Sequence, residues 1–438
     1  MAEKYLGESI KNLGFGLMRL PMLGDEIDIE QTKRMVDTFM AKGFTYFDTA
    51  YVYIGGKSEV ALKEAVVDRY PRDSFQCATK LPFWDMKEPS EMETVFQTSL
   101  DRAGLEYYDF YLLHGLNAEV VKKVDAFGGW DFVKGLKEQG RVKHIGFSFH
   151  DTAEVLESIL QAHPEMEFVQ LQINYVDWES EGVQSRKCYE VARKYNKPVI
   201  IMEPVRGGSL AIMPPQVQEV FKKAEPEMSV ASWAIRYAAS LEGVLTVLSG
   251  MSTEEQLNDN VSYMEDFKPL DEAERATVQQ VVDILNSLPT IPCTACKYCV
   301  DGCPQKINIP SIFRTMNDLT LYNNEAGAKR SYANATKEGG KAGDCIQCGN
   351  CEAHCPQKIE IIETLKKAAA IFASAHTEQQ RLWGAGFCRP LFCALPGIFF
   401  RFPREFYRNF AFFHRLCYNT LNYGLEHVMS SIFSSSTL

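Results

Sequence analysis

The sequence predicts an α/β chain built as a (β/α)8 barrel, followed by a small, mainly helical cysteine module and an aromatic-rich extension. Three observations predict it. Eight short apolar runs alternate with helix-length segments between about residues 10 and 265. Eight cysteines fall in two tight runs between 293 and 355, and fourteen Phe, Tyr or Trp crowd between Trp383 and Phe433. The expected boundaries are 1–270 for the barrel, 271–288 for a linking helix, 289–375 for the cysteine module and 376–438 for the extension.

The strand candidates are 13–18, 44–48, 75–79, 108–113, 142–147, 168–172, 198–202 and 244–248. Between them lie segments with helical spacing, among them 29–42, 57–69, 90–103, 152–162, 182–195 and 253–262. Stops such as Ala41-Lys42-Gly43 and Tyr195-Asn196-Lys197-Pro198 end several of them. Strand–helix alternation implies parallel βαβ units. Eight units in so short a span fit a closed (β/α)8 TIM barrel better than an open sheet. No G-x-G-x-x-G follows the first strand, so the usual dinucleotide fingerprint is absent.

Residues 271–288 repeat Val, Ile and Leu at helical spacing, and Pro289 and Pro292 mark the passage into the module. There the pattern C-x2-C-x2-C-x3-C-P occurs twice, as Cys293, Cys296, Cys299, Cys303 and as Cys345, Cys348, Cys351, Cys355. Three thiolates two residues apart wrap one cubane, and the fourth ligates the other cluster, as in two-cluster ferredoxins. The expectation is two [4Fe–4S] clusters, one on Cys293, Cys296, Cys299 and Cys355, the other on Cys345, Cys348, Cys351 and Cys303. Structural zinc competes, but it usually spaces two C-x2-C pairs well apart. Helix-like stretches such as Ser311–Leu321 lie between the runs, so the module resembles the α-helical rather than the β-hairpin type of ferredoxin-like domain. Cys77 and Cys188 stand alone in apolar segments and read as small buried residues.

The extension is basic as well as aromatic: residues 361–438 carry eight basic and four acidic side chains, within a chain of net charge -11. Its readings are a surface lying on a membrane or a partner, a terminal helix pair packed on its own protein, or a loosely ordered extension. The acidic balance of the whole argues against a general nucleic-acid binder. The start, MAEKYLGESIKNLGFG, shows no signal-peptide pattern, and no apolar stretch approaches 18 residues. A cytoplasmic location is expected, where cysteine runs read as metal ligands rather than disulfides.

Catalytic groups of such barrels sit at the C-terminal ends of strands. Those ends carry Asp48 after FTYF, Lys80 after FQCAT and His114 after YDFYLL, with Tyr53 in the loop DTAYVYIGG. A tyrosine titrates near pH 10, so an adjacent ammonium that favours the phenolate would ease proton donation. An aspartate keeps that ammonium charged, and a histidine directs a carbonyl oxygen. Phe83, Trp84, Tyr175 and Trp178 are candidate apolar walls.

With FDTAYVY, ATKLP, YLLHGL, HIGFSFH, VQLQINY and EPVRGGSL in that order, residues 10–265 resemble the aldo/keto reductase superfamily. Together with the cysteine module, residues 1–375 resemble its bacterial subgroup with a C-terminal 4Fe–4S ferredoxin-type domain. The resemblance implies a catalytic tetrad of Asp48, Tyr53, Lys80 and His114, with Tyr53 as general acid. It implies NAD(P)H across the barrel mouth, Ser148 and Gln170 on the carboxamide, Met202 at the position stacking on the nicotinamide, and loop 249–260 with Asn260 at the adenosine end. Phe149 replaces the family's asparagine, and Gly250 and Gln256 stand where NADP-preferring members carry Lys and Arg. Lacking those cations, a 2′-phosphate finds little compensation, so the pattern does not favour NADPH and leaves NADH, weak nicotinamide binding or a different donor open.

The expected function is therefore carbonyl/alcohol interconversion with NAD(P)H, the clusters serving electron transfer or structure. An alternative is a ferredoxin-linked electron-transfer protein, with a redox partner protein, whose barrel binds without ordinary reductase turnover. A third is a cofactor-sensing interaction module. A hydride carries two electrons and each cluster exchanges one, so direct coupling requires a flavin or a radical-tolerant substrate.

Overall fold

A computed structural model describes residues 5–322 and 325–384. The first barrel strand, β1 (Leu13–Gly16), is followed by a small antiparallel hairpin, β2 (Met22–Leu23) with β3 (Glu26–Ile27). Seven further strands complete the barrel: β4 (Tyr46–Asp48), β5 (Gln76–Pro82), β6 (Tyr108–Leu116), β7 (Val142–Phe149), β8 (Phe168–Gln172), β9 (Val199–Met202) and β10 (Val244–Ser249). All barrel pairs are parallel, and β10 closes on β1 through Leu13↔Val247 and Phe15↔Ser249.

The eight expected strands are all present; the differences lie at their ends. β5 and β6 outrun the 75–79 and 108–113 expectations because Leu81↔Leu113 and Pro82↔His114 still pair. Lys80 and His114 therefore lie within strands rather than just beyond them.

Helices cover the barrel in the gaps left for them. α1 (Ile29–Ala41) starts on Asp28, whose carboxylate accepts the Gln31 N–H. α2 (Lys57–Leu62) runs on into a π-helical turn over Lys63–Val67. There follow α3 (Glu91–Ala103), α4 (Ala118–Phe127), α5 (Gly129–Glu138), α6 (Ala153–Ala162) and α7 (Ser185–Lys194). α8 (Pro215–Ala224) and α9 (Val230–Ala239) fill the β9–β10 crossing, before α10 (Glu254–Met264).

Side chains two apart on a strand share a face. One set, Tyr46, Ala78, Phe110, Leu112, Phe168, Ile200 and Leu248, forms a buried cluster joined by Ile10. The alternate set, Phe47, Cys77, Tyr111, Leu113, Val169, Ile201 and Val247, packs with helix residues such as Met35, Phe39, Phe96 and Leu156. The first set fills the barrel and the second glues the helices to it.

α11 (Glu272–Asn286) opens in a capping box between Asp271 and Glu274 and buries Val278 and Val281 with Phe221 and Trp233. The cysteine module follows with α12 (Tyr298–Asp301), α13 (Ile309–Tyr322), α14 (Glu325–Ala335), α15 (Asn350–Ala353) and α16 (Ile361–Gly384). Its own core gathers Ile307, Ile309, Ile312, Phe313, Ile359, Ile361 and Leu365. Barrel and module lie within one compact unit. The expected aromatic, basic extension lies, beyond Gly384, outside the described residues. No described helix is long and apolar enough to cross a membrane.

Candidate active site and cysteine module

The two-residue alternation that fills the barrel also builds its upper polar layer. One step beyond Tyr46 comes Asp48, beyond Ala78 Lys80, beyond Leu112 His114, beyond Phe168 Gln170 and beyond Ile200 Met202. Ser148 follows Gly146 in the same way and is the register partner of Gln170. Asp48, Lys80, His114, Ser148 and Gln170 are buried, while Tyr53, on the turn after β4, is half-buried.

Lys80 is bonded to Asp48 Oδ1 and donates to the Thr49 carbonyl at 2.6 Å. Its Nζ lies 4.7 Å from the centroid of the Tyr53 ring. The Tyr53 and His114 rings meet edge-on, 5.8 Å apart at 78°. Asp48, Lys80 and His114 from three strands and Tyr53 from the loop after the first of them thus converge. Asp48 Oδ2, His114 Nδ1 and Gln170 Oε1 are enclosed without a hydrogen-bond partner among the described residues.

The electrostatics differ from expectation at one point. Burial, then the Asp48 and Glu203 charges, pushes the Tyr53 phenol well above the ordinary tyrosine value. Lys80 lies against the same ring but does not outweigh burial, the largest of these causes. Burial, with Lys80 and His150, holds His114 well below the usual histidine range. At neutral pH the site therefore presents a protonated phenol and a neutral imidazole.

The other expected contacts divide. Ser148 Oγ accepts the Gly115 N–H at 2.7 Å, and Met202 is partly buried at the end of β9. At the far end, Asn260 Oδ1 accepts from Ser249 Oγ at 2.6 Å, and Gln256 Oε1 accepts the Ser252 N–H at 2.7 Å. Phe149 is buried in the apolar layer outside the strands. Of the four candidate walls, Trp84 alone meets the tetrad, its ring 5.0 Å from His114. Phe83 is core, and Tyr175 and Trp178 line a separate cavity of about 550 Å³ with Arg206 and Tyr237.

Four residues outside the expected set complete this end of the barrel. Tyr298, from the first cysteine run, packs 6.3 Å from Trp84. Arg19 Nη2 donates to the Thr294 carbonyl at 3.1 Å. Glu203, directly after Met202, keeps Oε2 enclosed without a hydrogen-bond partner among the described residues, and burial raises its carboxyl to about 7. Its signal in the sequence was an acid closing an apolar strand; Tyr298, Thr294 and Arg19 meet only in three dimensions and left no local signal.

The cysteines gather in two fours. One cavity is lined by Cys293, Cys296, Cys299 and Cys355, a second by Cys303, Cys345, Cys348 and Cys351. Ile309 lines both, and neither lining includes a carboxylate or an imidazole. Among the described residues no three Cys, His, Asp or Glu side chains converge on a single metal ion.

Residues 12–283 match the aldo/keto reductase family, and residues 292–360 match the 4Fe-4S dicluster domain. The chain belongs to the aldo/keto reductase family. Among curated relatives of this aldo/keto reductase, a probable aldo-keto reductase 1 of Glycine max is 30% identical over 181 residues, 39% of this chain and 50% of the relative. An aldo-keto reductase of Mycobacterium tuberculosis is 32% identical over 162 residues, 36% of this chain and 53% of the relative. The chain thus spans about half the length of the curated relatives it matches. Solved structures share the barrel. The holo form of an aldo-keto reductase from Bacillus halodurans aligns at TM-score 0.51 and 23% identity, covering 64% of this chain and 96% of that one. A Klebsiella pneumoniae aldo/keto reductase in complex with NADP and acetate aligns at 0.52 and 18%, covering 62% and 92%. At these identities the likeness is one of fold.

Proposed function

We propose that the protein is an oxidoreductase that interconverts a carbonyl and an alcohol at Tyr53, and that its module holds two [4Fe–4S] clusters. The observation that carries the first part is the position of Lys80, buried between Asp48 and the face of the Tyr53 ring with His114 alongside. In reduction, Tyr53 donates a proton to the oxygen as negative charge develops there. Its high pKa keeps that proton in place through the neutral range, and neutral His114 donates a hydrogen bond that directs the same oxygen. The Lys80 ammonium offsets charge left on the phenolate, and Asp48 holds the ammonium in place.

The division of the eight thiols into two fours supports the cross-paired ligand sets: Cys355 joins the first run and Cys303 the second. Four thiols with apolar walls suit a cubane, which sets its thiolates wider than a single ion does. When bound, the clusters supply one-electron redox chemistry. For NAD(P)H the fit is uneven. Ser148 and Gln170, whose Oε1 has no hydrogen-bond partner among the described residues, suit a carboxamide, but Gln256 and Asn260 are spent on Ser252 and Ser249.

We assign the barrel to residues 1–270, the linking helix to 271–288, the cluster domain to 289–375 and the extension to 376–438. A small carbonyl or alcohol is the substrate, a redox protein is the partner, and the cytoplasm is the proposed location. The test is a panel of carbonyl compounds incubated anaerobically with reduced holoprotein, the products identified by mass spectrometry. An alcohol from at least one conjugated member is expected; none across the panel overturns the reading.

A further inference from the structure

Apart from Ser148 and Gln170, the stretches that the family resemblance offers to a dinucleotide are engaged by the protein itself. At the adenosine end Asn260 and Gln256 are bonded internally. A Cβ on Gly250 would come within 3.3 Å of Arg19 Cδ, so the Arg19 side chain lies across that loop on its way to the Thr294 carbonyl. In the middle, Gly207 has φ +65°, and a Cβ on it would fall 1.9 Å from the Thr294 carbonyl oxygen. Only glycine lets the Cys293–Tyr298 segment settle so closely on the loop after β9. At the nicotinamide end, Tyr298 of that segment stands beside Trp84, which in turn faces His114.

The charges point the same way. A pyrophosphate over the loop after β9 would meet Glu203, whose Oε2 is enclosed without a hydrogen-bond partner among the described residues. The two cations acting on that carboxyl are Arg19 and Arg206. Arg19 donates to Thr294, and Arg206 pairs with Asp177 at 3.1 Å. An anionic cofactor gains nothing there that the protein has not already used.

We infer that the Cys293–Tyr298 segment occupies the dinucleotide corridor of the barrel, so that the Tyr53 site works without NAD(P)H and its electrons arrive singly from a one-electron donor of the flavodoxin or ferredoxin class. This rests on the acid–base reading of Tyr53. The overall change is still C=O plus two electrons plus two protons giving CH–OH, with Tyr53 supplying the proton on oxygen and solvent the proton on carbon. With no hydride on offer, the substrate must tolerate the addition of one electron. That selects a carbonyl conjugated with an aromatic ring or a carbon–carbon double bond, whose one-electron-reduced form is delocalised.

The experiment is a fluorescence titration of anaerobic holoprotein with NADPH and NADH, beside turnover in D2O. Wild type should give no saturable signal up to about 1 mM, the range of very weak binding. The triple variant Arg19→Ala, Glu203→Gln, Tyr298→Ala, with its iron content retained, should bind at least tenfold more tightly. Reduced viologen should yield an alcohol with deuterium on the carbinol carbon. Saturation of wild type at micromolar NADPH, or protium delivered from NADPH to that carbon, overturns the inference; so does a triple variant that binds no better than wild type. Failure of every donor to give alcohol falls instead on the Tyr53 reading, because the binding titration is scored separately.

Discussion

The Lys80 ammonium sits 4.7 Å from the centre of the Tyr53 ring while its own bonds run to Asp48 and the Thr49 carbonyl. One buried cation is thereby shared between a carboxylate that fixes it and a phenol that needs it only when a proton leaves.

The first consequence is for stability. Removing one partner of a buried ion pair leaves an uncompensated charge, at a cost of about 3–5 kcal/mol. Lys80→Met should therefore destabilise the fold by roughly that amount, and adding Asp48→Asn should recover more than half of it. Denaturant unfolding of wild type and the two variants measures both numbers. If Lys80→Met proved as stable as wild type, the pair would not be ionised in the folded state.

The pH profile follows from the two displaced groups. His114 is held neutral because burial opposes its charge, so falling pH does not protonate it near 6.5. Tyr53 is held protonated because burial and two carboxylates oppose the phenolate, so rising pH does not ionise it near 10. kcat/KM for carbonyl reduction should then lack a histidine limb between pH 6 and 8 (the bounds are about half a unit below and one and a half above the ordinary histidine value). The profile is best measured in Glu203→Gln, because the Glu203 carboxyl itself titrates at about 7. About a fourfold fall from pH 8 to pH 6 in that variant, the loss that an imidazole titrating near 6.5 gives, would contradict a neutral His114.

The cysteine partition predicts a crossed phenotype. Cys355→Ser should expose Cys293, Cys296 and Cys299 to alkylation while leaving Cys345, Cys348 and Cys351 protected, and Cys303→Ser should do the reverse. In each variant iron should fall from about eight to about four atoms per chain, as two four-iron clusters require. Alkylation confined to the mutated run would contradict the crossed assignment.

Much of this was legible in the chain. The alternation that places Tyr46 and Asp48, Ala78 and Lys80, and Leu112 and His114 on one face is a local property, so strands and tetrad could both be read from it. The strand ends at Pro82 and Leu116 could not, because cross-strand pairing extends them. Nor could the pKa of Tyr53, which burial and the distant Glu203 set more than its expected neighbour Lys80 does. The seat of the module on the barrel was the least legible feature. Thr294 meets Gly207 and Tyr298 meets Trp84 across separations of nearly ninety and more than two hundred residues, and neither contact has a periodic signature.

The central claim is that Tyr53 gives the proton on which carbonyl reduction depends, and its most direct measurement compares wild-type and Tyr53→Phe holoprotein in anaerobic reduction of one conjugated carbonyl. Loss of a positioned acid costs about 100-fold or more in rate, and that loss is predicted with iron content and melting temperature unchanged. Equal rates in the two proteins would contradict it.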